Sequence, residues 1–299
     1  MTLRILFFGT SEHGAPFLES LLANRHHRVV GVVTPAPLPI KGFGPRALLR
    51  RVRRAFERGT TRDLARRARL PIWERGLALP AFAEFASRLQ PDLFVVASFN
   101  RILKPEILSL APRGVINVHP SLLPKYRGAD PIFWAIVNNE TETGVTIHWM
   151  DAGLDTGPIL CQRVVTIPPG ANGTELSGLL TCTGVGLLAE ALDQVENGLA
   201  APRSQEERSA SYFPPASKEV RIIHWEDGAE VILRLVRAST PYGGALAQVG
   251  GRRVNVVEAE RVAPSFAGAP GHVLYRNGPW IEISCRDAVL KLLLAGGTL

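Results

Sequence analysis

The amino-acid sequence predicts an α/β protein in which a doubly wound, mostly parallel sheet is followed by a smaller β-rich domain. Three observations support this prediction. Short apolar runs alternate with helical stretches through the first half of the chain. These runs are apolar at every position, which is typical of parallel strands buried on both faces. A polar, proline-containing stretch then ends the alternation, and short strands separated by glycines follow it.

The first domain, residues 1–199, is predicted to be Rossmann-like, because its β and helical runs follow one another as in repeated βαβ units. We predict strands at 4–8, 29–34, 92–97, 115–118, 144–150 and 158–165, and helices at 15–22, 81–89, 130–138 and 174–197.

A linker and a second domain are predicted after it. Residues 200–217 are polar and contain prolines, as expected of a connection between separately packed bodies. Residues 218–299 are expected to form a β-rich, OB-like barrel. Its helix is predicted at 229–238, and two of its strands at 245–249 and 253–258, on either side of Gly250 and Gly251.

Composition argues against several classes of protein. The chain has 299 residues, 46% of them apolar, and is therefore able to bury a core. Its three cysteines form no CxxC pair, and five of its seven histidines, His13, His26, His27, His224 and His272, have no companions at ligand spacing, so we expect neither disulfides nor a metal ion. The N-terminus does not read as a signal sequence, and no stretch approaches about 18 uninterrupted apolar residues. We expect a cytoplasmic protein without a membrane segment.

Positive charge is concentrated in one segment. The net charge is +7, and ten arginines lie between Lys41 and Arg75 against three acidic residues. Two interpretations remain open: a solvated amphipathic helix with its apolar residues facing inward, and a surface that binds nucleic acid. In the second interpretation, the residues expected to contact tRNA are Arg50, Arg51, Arg53 and Arg54.

The segments that follow the central strands contain groups suited to acyl transfer. Asn117 and His119 are two residues apart in a strand, so their side chains point to the same face. Asp155 lies in a glycine-containing turn, 151–157, between two later strands. An amide donor, an imidazole and a carboxylate that orients it meet the needs of transfer through an oxyanion. Taken singly, these residues are more often found in turns, and His148 either lines the site or is simply buried.

The surrounding motifs resemble those of the folate-dependent formyltransferases, and are closest to the type that acts on methionyl-tRNA. The resemblance runs from residue 3 to about residue 248 and is carried by Phe8-Gly9-Thr10 and by residues 117–128, 143–148 and 151–157. It implies that Asn117, His119 and Asp155 are the catalytic trio. It also implies that 10-formyltetrahydrofolate is the co-substrate and that no metal takes part.

The same resemblance implies where the substrates bind. The pterin of the folate would be held largely by main chain, in a pocket formed by Phe99, Asn100, Arg101, Ile102, Leu103, Asp151, Ala152, Gly153 and Leu154. Substrate contacts are assigned to the segment after the catalytic histidine, namely Ser121, Leu122, Leu123, Pro124, Lys125 and Arg127. Two of these are cations, which suit either a folate glutamate tail or an acceptor phosphate.

The acceptor is predicted to be the amine of methionyl-initiator tRNA, with a nucleotide-linked amino sugar as the alternative. The alternative stays open because residues 35–39 depart from the loop that engages tRNA in the resembled type. A formyl-folate hydrolase is disfavoured by the presence of Asn117. A binding module without catalysis is disfavoured by the intact trio.

Overall fold

A computed structural model describes residues 2–10, 12–24, 26–36, 59–263 and 269–296. The chain divides into two compact units: unit 1 is Met1–His119, Val145–Arg163 and Thr181–Glu207, and unit 2 is Pro120–Gly144, Val164–Leu180 and Arg208–Leu299. The four arginines assigned to tRNA, Arg50, Arg51, Arg53 and Arg54, lie outside the described residues.

A seven-stranded sheet organises unit 1. Its strands are β1 (Arg4–Gly9), β2 (Arg28–Val33), β3 (Ile72–Trp73), β4 (Leu93–Ala97), β5 (Val115–His119), β7 (Glu142–Trp149) and β8 (Ile159–Thr166), whereas β6 (Arg127–Gly128) lies in unit 2. The strand order is β3-β2-β1-β4-β5-β7-β8. This confirms the predicted α/β class.

The sheet is parallel from β3 to β5, and β7 runs antiparallel to β5. A parallel neighbour requires a crossover that packs back on the sheet. The chain instead leaves β5 through residues 120–144, which belong to unit 2. This reversal places residues of β7 directly opposite residues of β5, which the sequence alone did not indicate.

The helices of unit 1 cover the sheet with apolar side chains. They are α1 (Ala15–Ala23), α2 (Thr61–Arg67), α3 (Ala81–Leu89) and α4 (Pro105–Leu108), together with the second half of α6 (Gly173–Glu196); α5 (Pro131–Val137) belongs to unit 2. Phe82 of α3 is buried against Phe8 of β1, with ring centroids 6.0 Å apart. The short helix α2 was not predicted; it is capped by Thr60, whose side chain accepts the Asp63 N–H at 3.2 Å.

By length and composition, α6 is the one helix of the described residues that is apolar enough to cross a membrane. Buried core helices of globular proteins pass the same test. Leu187, Leu188 and Leu192 of α6 are each at most 2% exposed. The composition of this helix is therefore weak evidence for a membrane segment.

Unit 2 is built on a five-stranded antiparallel sheet of order β10-β11-β14-β13-β12. The strands are β10 (Ala245–Val249), β11 (Arg252–Ala263), β12 (Val273–Asn277), β13 (Trp280–Ser284) and β14 (Val289–Leu294). Ile232 and Val236 of α7 (Ala229–Ala238) are buried with Leu290 and Leu292 in its core. This confirms the predicted second, β-rich body.

A second, two-stranded sheet in unit 2 pairs β6 in parallel with β9 (Tyr212–Phe213). It joins the segment that follows His119 to the predicted linker. Gly128 has a φ of 104°, and a Cβ there would overlap the Phe213 carbonyl oxygen, so glycine is required at this crossing.

Candidate active site

The antiparallel pair β5 and β7 brings three candidate residues together. Asn117 lies opposite His148, and His119 lies opposite Thr146. Residues directly opposite in such a pair place their side chains on the same face, as do residues two apart in one strand. Asn117 Nδ2 is 3.2 Å from His148 Nε2. The predicted pair on β5 is therefore joined by a histidine from the neighbouring strand.

His148 is buried and has a defined partner at each ring nitrogen. Its Nδ1 is 2.8 Å from the Trp149 carbonyl oxygen, which can only accept, so Nδ1 carries the proton. Its Nε2 is then the acceptor of a hydrogen bond from the Asn117 amide. Burial, together with the charge of nearby His119, lowers the pKa of His148 to about 4. His148 is therefore neutral at pH 7.

Asp155 lies close to both imidazoles. Its Oδ2 is 3.7 Å from His119 Nδ1, and its Oδ1 is 3.7 Å from His148 Nε2. The two rings are 6.3 Å apart and nearly perpendicular, at 81°. These carboxylate distances exceed hydrogen-bond length, and catalytic contacts of this kind often tighten when the substrate binds. We call Asn117, His119, His148 and Asp155 the polar cluster.

The backbone around Asp155 is held by Gln205. Asp155 has a left-handed φ of 55°. Gln205 Nε2 donates to the carbonyl oxygens of Asp155 and Gly157, each at 2.7 Å. A Cβ at Gly157 would overlap the Trp149 carbonyl oxygen, so this position accepts only glycine. Gln205 thus holds the backbone of the turn at the carbonyl groups of Asp155 and Gly157.

Within the turn, the Asp151 side chain accepts hydrogen bonds from two neighbouring residues. Its Oδ1 accepts the Gly153 N–H at 3.0 Å and the Thr156 hydroxyl at 2.6 Å. Residues Asp151, Ala152, Gly153 and Leu154, predicted to contact the folate, are all exposed, and Leu154 is 51% exposed. Their main chain is accessible, and their role in folate binding stays a prediction.

The predicted folate segment after β4 divides into interior and surface residues. Phe99 packs edge-on against Phe8, with ring centroids 5.5 Å apart, and Leu103 is buried in the same core. Asn100, Arg101 and Ile102 are exposed. Two members of the segment therefore stabilise the domain, while the others face solvent.

A cavity of about 580 Å³ opens beside this segment. The residues that line it are Leu77, Ala78, Leu79, Arg101, Ile102, Lys104, Glu106 and Ile107. We call it the Leu77–Ile107 cavity. Two of its lining residues, Arg101 and Ile102, were predicted to bind the folate, and the others were not. Residues 77–79 were missed because they follow β3, a strand of two residues that sequence periodicity does not reveal.

The predicted substrate segment after His119 is mostly occupied in packing within unit 2. Ser121 Oγ donates to the Lys125 carbonyl oxygen at 2.8 Å, and Leu123 is buried. Leu122 and Pro124 are half-buried, and Lys125 is exposed. These roles in substrate binding stay predictions.

Arg127 is the largest fully buried side chain in the described part of the chain. Its Nη1 donates to the Tyr212 hydroxyl, and its guanidinium lies 5.2 Å from the centre of that ring. Its backbone N–H donates to the Ser211 carbonyl oxygen at 2.9 Å. The cation predicted to meet a substrate is therefore an interior residue that ties β6 to β9.

Sequence reasoning did not identify Gln205, because it lies in the predicted linker and no motif surrounds it. His148 was left between two roles, and the structure shows both: it is buried with a backbone partner, and it holds the Asn117 amide. Among residues 2–10, 12–24, 26–36, 59–263 and 269–296, no group of three or more His, Cys, Asp or Glu side chains is arranged to hold a metal ion.

Comparison with known families assigns both parts of the chain. The family described as formyl transferase matches residues 3–192. The family described as formyl transferase, C-terminal domain, matches residues 215–295.

Similar proteins cover almost the whole chain. A methionyl-tRNA formyltransferase of Trichlorobacter lovleyi is 36% identical over 94% of this chain and 85% of its own length. A methionyl-tRNA formyltransferase of Syntrophus aciditrophicus is 39% identical over 96% of this chain and 89% of its own. A structure of an N-formyltransferase from Helicobacter canadensis, with folinic acid and dTDP-3-aminofucose, has a TM-score of 0.70 at 20% identity, covering 98% and 99% of the two chains.

Proposed function

This chain belongs to the formyltransferase family, and we propose that it transfers the formyl group of 10-formyltetrahydrofolate to the amine of methionyl-initiator tRNA. The observation that carries the reaction type is the Asn117 to His148 hydrogen bond beside the His119 and Asp155 pair. Relatives named methionyl-tRNA formyltransferase, matching over nearly the whole chain, support the acceptor.

The reaction requires a neutral amine to attack the formyl carbon, and negative charge then develops on the formyl oxygen. The Asn117 amide nitrogen has two hydrogens, one of which is donated to His148. The other is the donor we assign to the formyl oxygen. A donor of this kind typically contributes about 3–4 kcal/mol to the transition state. Because His148 already orients the amide, little reorganisation accompanies the step.

The attacking amine must lose a proton as the new amide bond forms and the bond to the folate nitrogen breaks. We assign His119 as the group that accepts this proton and then passes it to the departing folate nitrogen, and Asp155 as the carboxylate that stabilises the imidazolium formed in between. His148 does not compete for the proton, because burial holds its pKa near 4. General acid–base catalysis of this kind contributes about 10²–10⁴-fold in rate.

The Leu77–Ile107 cavity suits the folate carrier. Its walls are partly apolar and include Leu77, Leu79 and Ile102. An aromatic p-aminobenzoyl group can pack against them. The segment that lines it leaves β4, whose Ala97 pairs with Val118 of β5, next to the polar cluster. We place the carrier in this cavity and its pterin against the main chain of residues 99–103 and 151–154.

The proposal includes binding of the tRNA by Arg50, Arg51, Arg53 and Arg54. Two other arginines of the same basic segment have local partners. Arg62 Nε is 2.7 Å from Glu74 Oε1, and Arg67 Nη2 is 2.6 Å from Asp63 Oδ2. Because these two support the fold, the tRNA role is assigned to the four preceding arginines. We place the reaction in the cytoplasm, where initiator tRNA is charged.

A transfer assay tests this proposal. The purified protein is given 10-formyltetrahydrofolate with either methionyl-initiator tRNA or a dTDP-linked amino sugar, and the formylated product is quantified. We expect product with the tRNA, and we expect Arg50, Arg51, Arg53 and Arg54 changed together to alanine to raise the KM for tRNA. Each lost phosphate contact should reduce the log–log salt slope by about 0.9. Turnover of the amino sugar alone would replace the tRNA assignment.

A further inference from the structure

A row of polar side chains crosses the large sheet beside the polar cluster. His119 of β5 lies opposite Thr146 of β7. Gln162 of β8 donates from its Nε2 to the Thr146 hydroxyl oxygen at 2.8 Å, and Arg203 donates from its Nη2 to Gln162 Oε1 at 2.8 Å. All four residues belong to unit 1. The proposed reaction uses only His119 of these four.

The hydrogen bonds of this row have a fixed direction. A guanidinium can only donate, so Arg203 turns the oxygen of the Gln162 amide toward itself and the amide nitrogen toward Thr146. The Thr146 oxygen therefore accepts the Gln162 N–H with one of its two lone pairs. Its second lone pair is directed to the side away from Gln162.

The outer end of the row is anchored by main chain. The Arg203 N–H donates to the Ile159 carbonyl oxygen at 2.9 Å, and the Ile159 N–H donates to the Arg203 carbonyl oxygen at 2.8 Å. This antiparallel bridge attaches the predicted linker to the first residue of β8. The exposed guanidinium of Arg203 is thereby held within reach of Gln162.

The inner end of the row reaches His119 through the strand register. In the same pairing of β5 with β7, Asn117 lies opposite His148, and their side chains are 3.2 Å apart. His119 and Thr146 are the next opposed pair on that face of the sheet. They are 4% and 0% exposed, so their polar atoms require partners inside the protein.

Catalysis by His119 requires a defined tautomer. The ring nitrogen that accepts a proton must lack one, so the other ring nitrogen must carry it. Asp155 Oδ2 is 3.7 Å from His119 Nδ1, which exceeds hydrogen-bond length. The carboxylate alone therefore does not hold the proton on Nδ1 in this structure, and a nearby acceptor is needed to do so.

We propose that Thr146 is a positioning residue for His119. Its hydroxyl oxygen accepts the Nδ1 N–H of His119, which makes Nε2 the nitrogen that takes the proton of the amine. Gln162 and Arg203 act through Thr146, because they fix the direction of its hydroxyl group. This inference rests on the proposed function, because it assigns a role in the same reaction.

The first test is the kinetics of Thr146→Val, which keeps the shape of the side chain and removes the acceptor. We expect kcat to fall by about three- to tenfold, the effect of one neutral hydrogen bond. The KM for 10-formyltetrahydrofolate should change by less than about twofold. Thr146→Ser restores the hydroxyl and should recover most of kcat. Thr143→Val, at a buried position on the other face of β7, is the matched control and should have a normal kcat.

The second test reads the tautomer directly. Nitrogen NMR of the full-length protein with isotope-labelled histidine distinguishes a protonated Nδ1 from a protonated Nε2, and the His119 signals are identified by their loss in His119→Gln. In the wild type we expect the proton on Nδ1. In Thr146→Val we expect a mixture of the two tautomers, a change that a purely structural role of Thr146 would not produce.

A double variant separates positioning from stability. Thr146→Val removes the acceptor of the half-buried Gln162 amide, which should lower the free energy of unfolding. Thr146→Val with Gln162→Leu removes both partners and should recover stability against denaturant. We expect the kcat of this double variant to stay as low as that of Thr146→Val.

Each outcome bears on a different claim. Absence of turnover by the wild type with either acceptor contradicts the proposed function, and the tautomer of His119 then still tests the inference. An unchanged tautomer in Thr146→Val overturns the inference alone, whatever the kcat of that variant. Recovery of kcat together with stability in the double variant also overturns it, because the loss would then come from altered packing.

Discussion

The polar cluster and the Leu77–Ile107 cavity both belong to unit 1, but they are organised in opposite ways. In the cluster, His119 and His148 are at most 4% exposed, and each functional group contacts another protein group. In the cavity, Arg101 and Lys104 are exposed, and in the described part of the chain their side chains have no partner.

This difference predicts which kinetic constant, kcat or KM, each region should affect. Groups already oriented by the protein act on the transition state, so their removal should lower kcat. Groups that meet only a remote part of the substrate contribute uniform binding, so their removal should raise KM. The polar cluster and the cavity are therefore expected to give separable kinetic signatures.

The largest expected effect is that of Asn117→Ala. Loss of the amide donor should lower kcat by about 10²–10³-fold, with the KM for the folate changed only a few-fold. Steady-state kinetics with both substrates measures this. Asn277→Ala, at the exposed end of β12 in unit 2, is the matched control and should have a normal kcat. A normal kcat for Asn117→Ala would remove the functional contrast between the two regions.

Acidification should destabilise the polar cluster, because its histidine His148 is held neutral in the folded protein. The pKa of His148 is lowered from 6.5 to about 4 in the folded protein. Between these values the unfolded chain binds a proton that the folded chain does not, so the free energy of unfolding decreases as the pH falls from 6.5 to 4. The full loss is about 3 kcal/mol.

Denaturant unfolding at pH 7 and pH 4.5 measures this loss. In His148→Gln, which cannot titrate at that position, we expect a smaller decrease in stability between the two pH values than in the wild type. Equal decreases in both proteins would show that His148 does not resist protonation in the folded state.

A smaller effect is expected for Gln205→Ala. Its two hydrogen bonds hold the peptide groups at Asp155 and Gly157, and a neutral hydrogen bond contributes about 1 kcal/mol. We expect kcat to fall by about tenfold, while the KM for the folate changes little. Gln248→Ala, on an exposed strand position of unit 2, is the control. A change confined to KM would show that Gln205 serves binding instead.

The smallest expected effect is that of a chelator. The assigned chemistry uses an amide, an imidazole and a carboxylate, and no step of it requires a metal ion. Activity after dialysis against EDTA should equal the activity of the untreated protein. A loss that zinc or magnesium restores would add a metal site to one of the two regions.

The sequence predicted the parts of the site that depend on local spacing. Asn117 and His119 share a face because a strand repeats every two residues. The position of His148 depends on the antiparallel pairing of β7, and that of Gln205 depends on where the linker lies. Both are tertiary features. The side of the cavity that follows β3 was missed for a similar reason. β3 has only two residues, and its position in the sheet depends on pairing with β2.

The pairing of β6 with β9 has a consequence for synthesis of the chain. Tyr126 is 85 residues before Ser211, whose hydroxyl accepts its N–H at 2.9 Å. At about 5–20 residues per second, a ribosome needs roughly 4–17 s to span that interval. The nascent chain therefore emerges with strands β1 to β5 complete before the segment after His119 gains its partner, and again before Gln205 is available to brace Asp155. During translation, strands β1 to β5 can therefore form before the hydrogen bonds that hold the polar cluster are available.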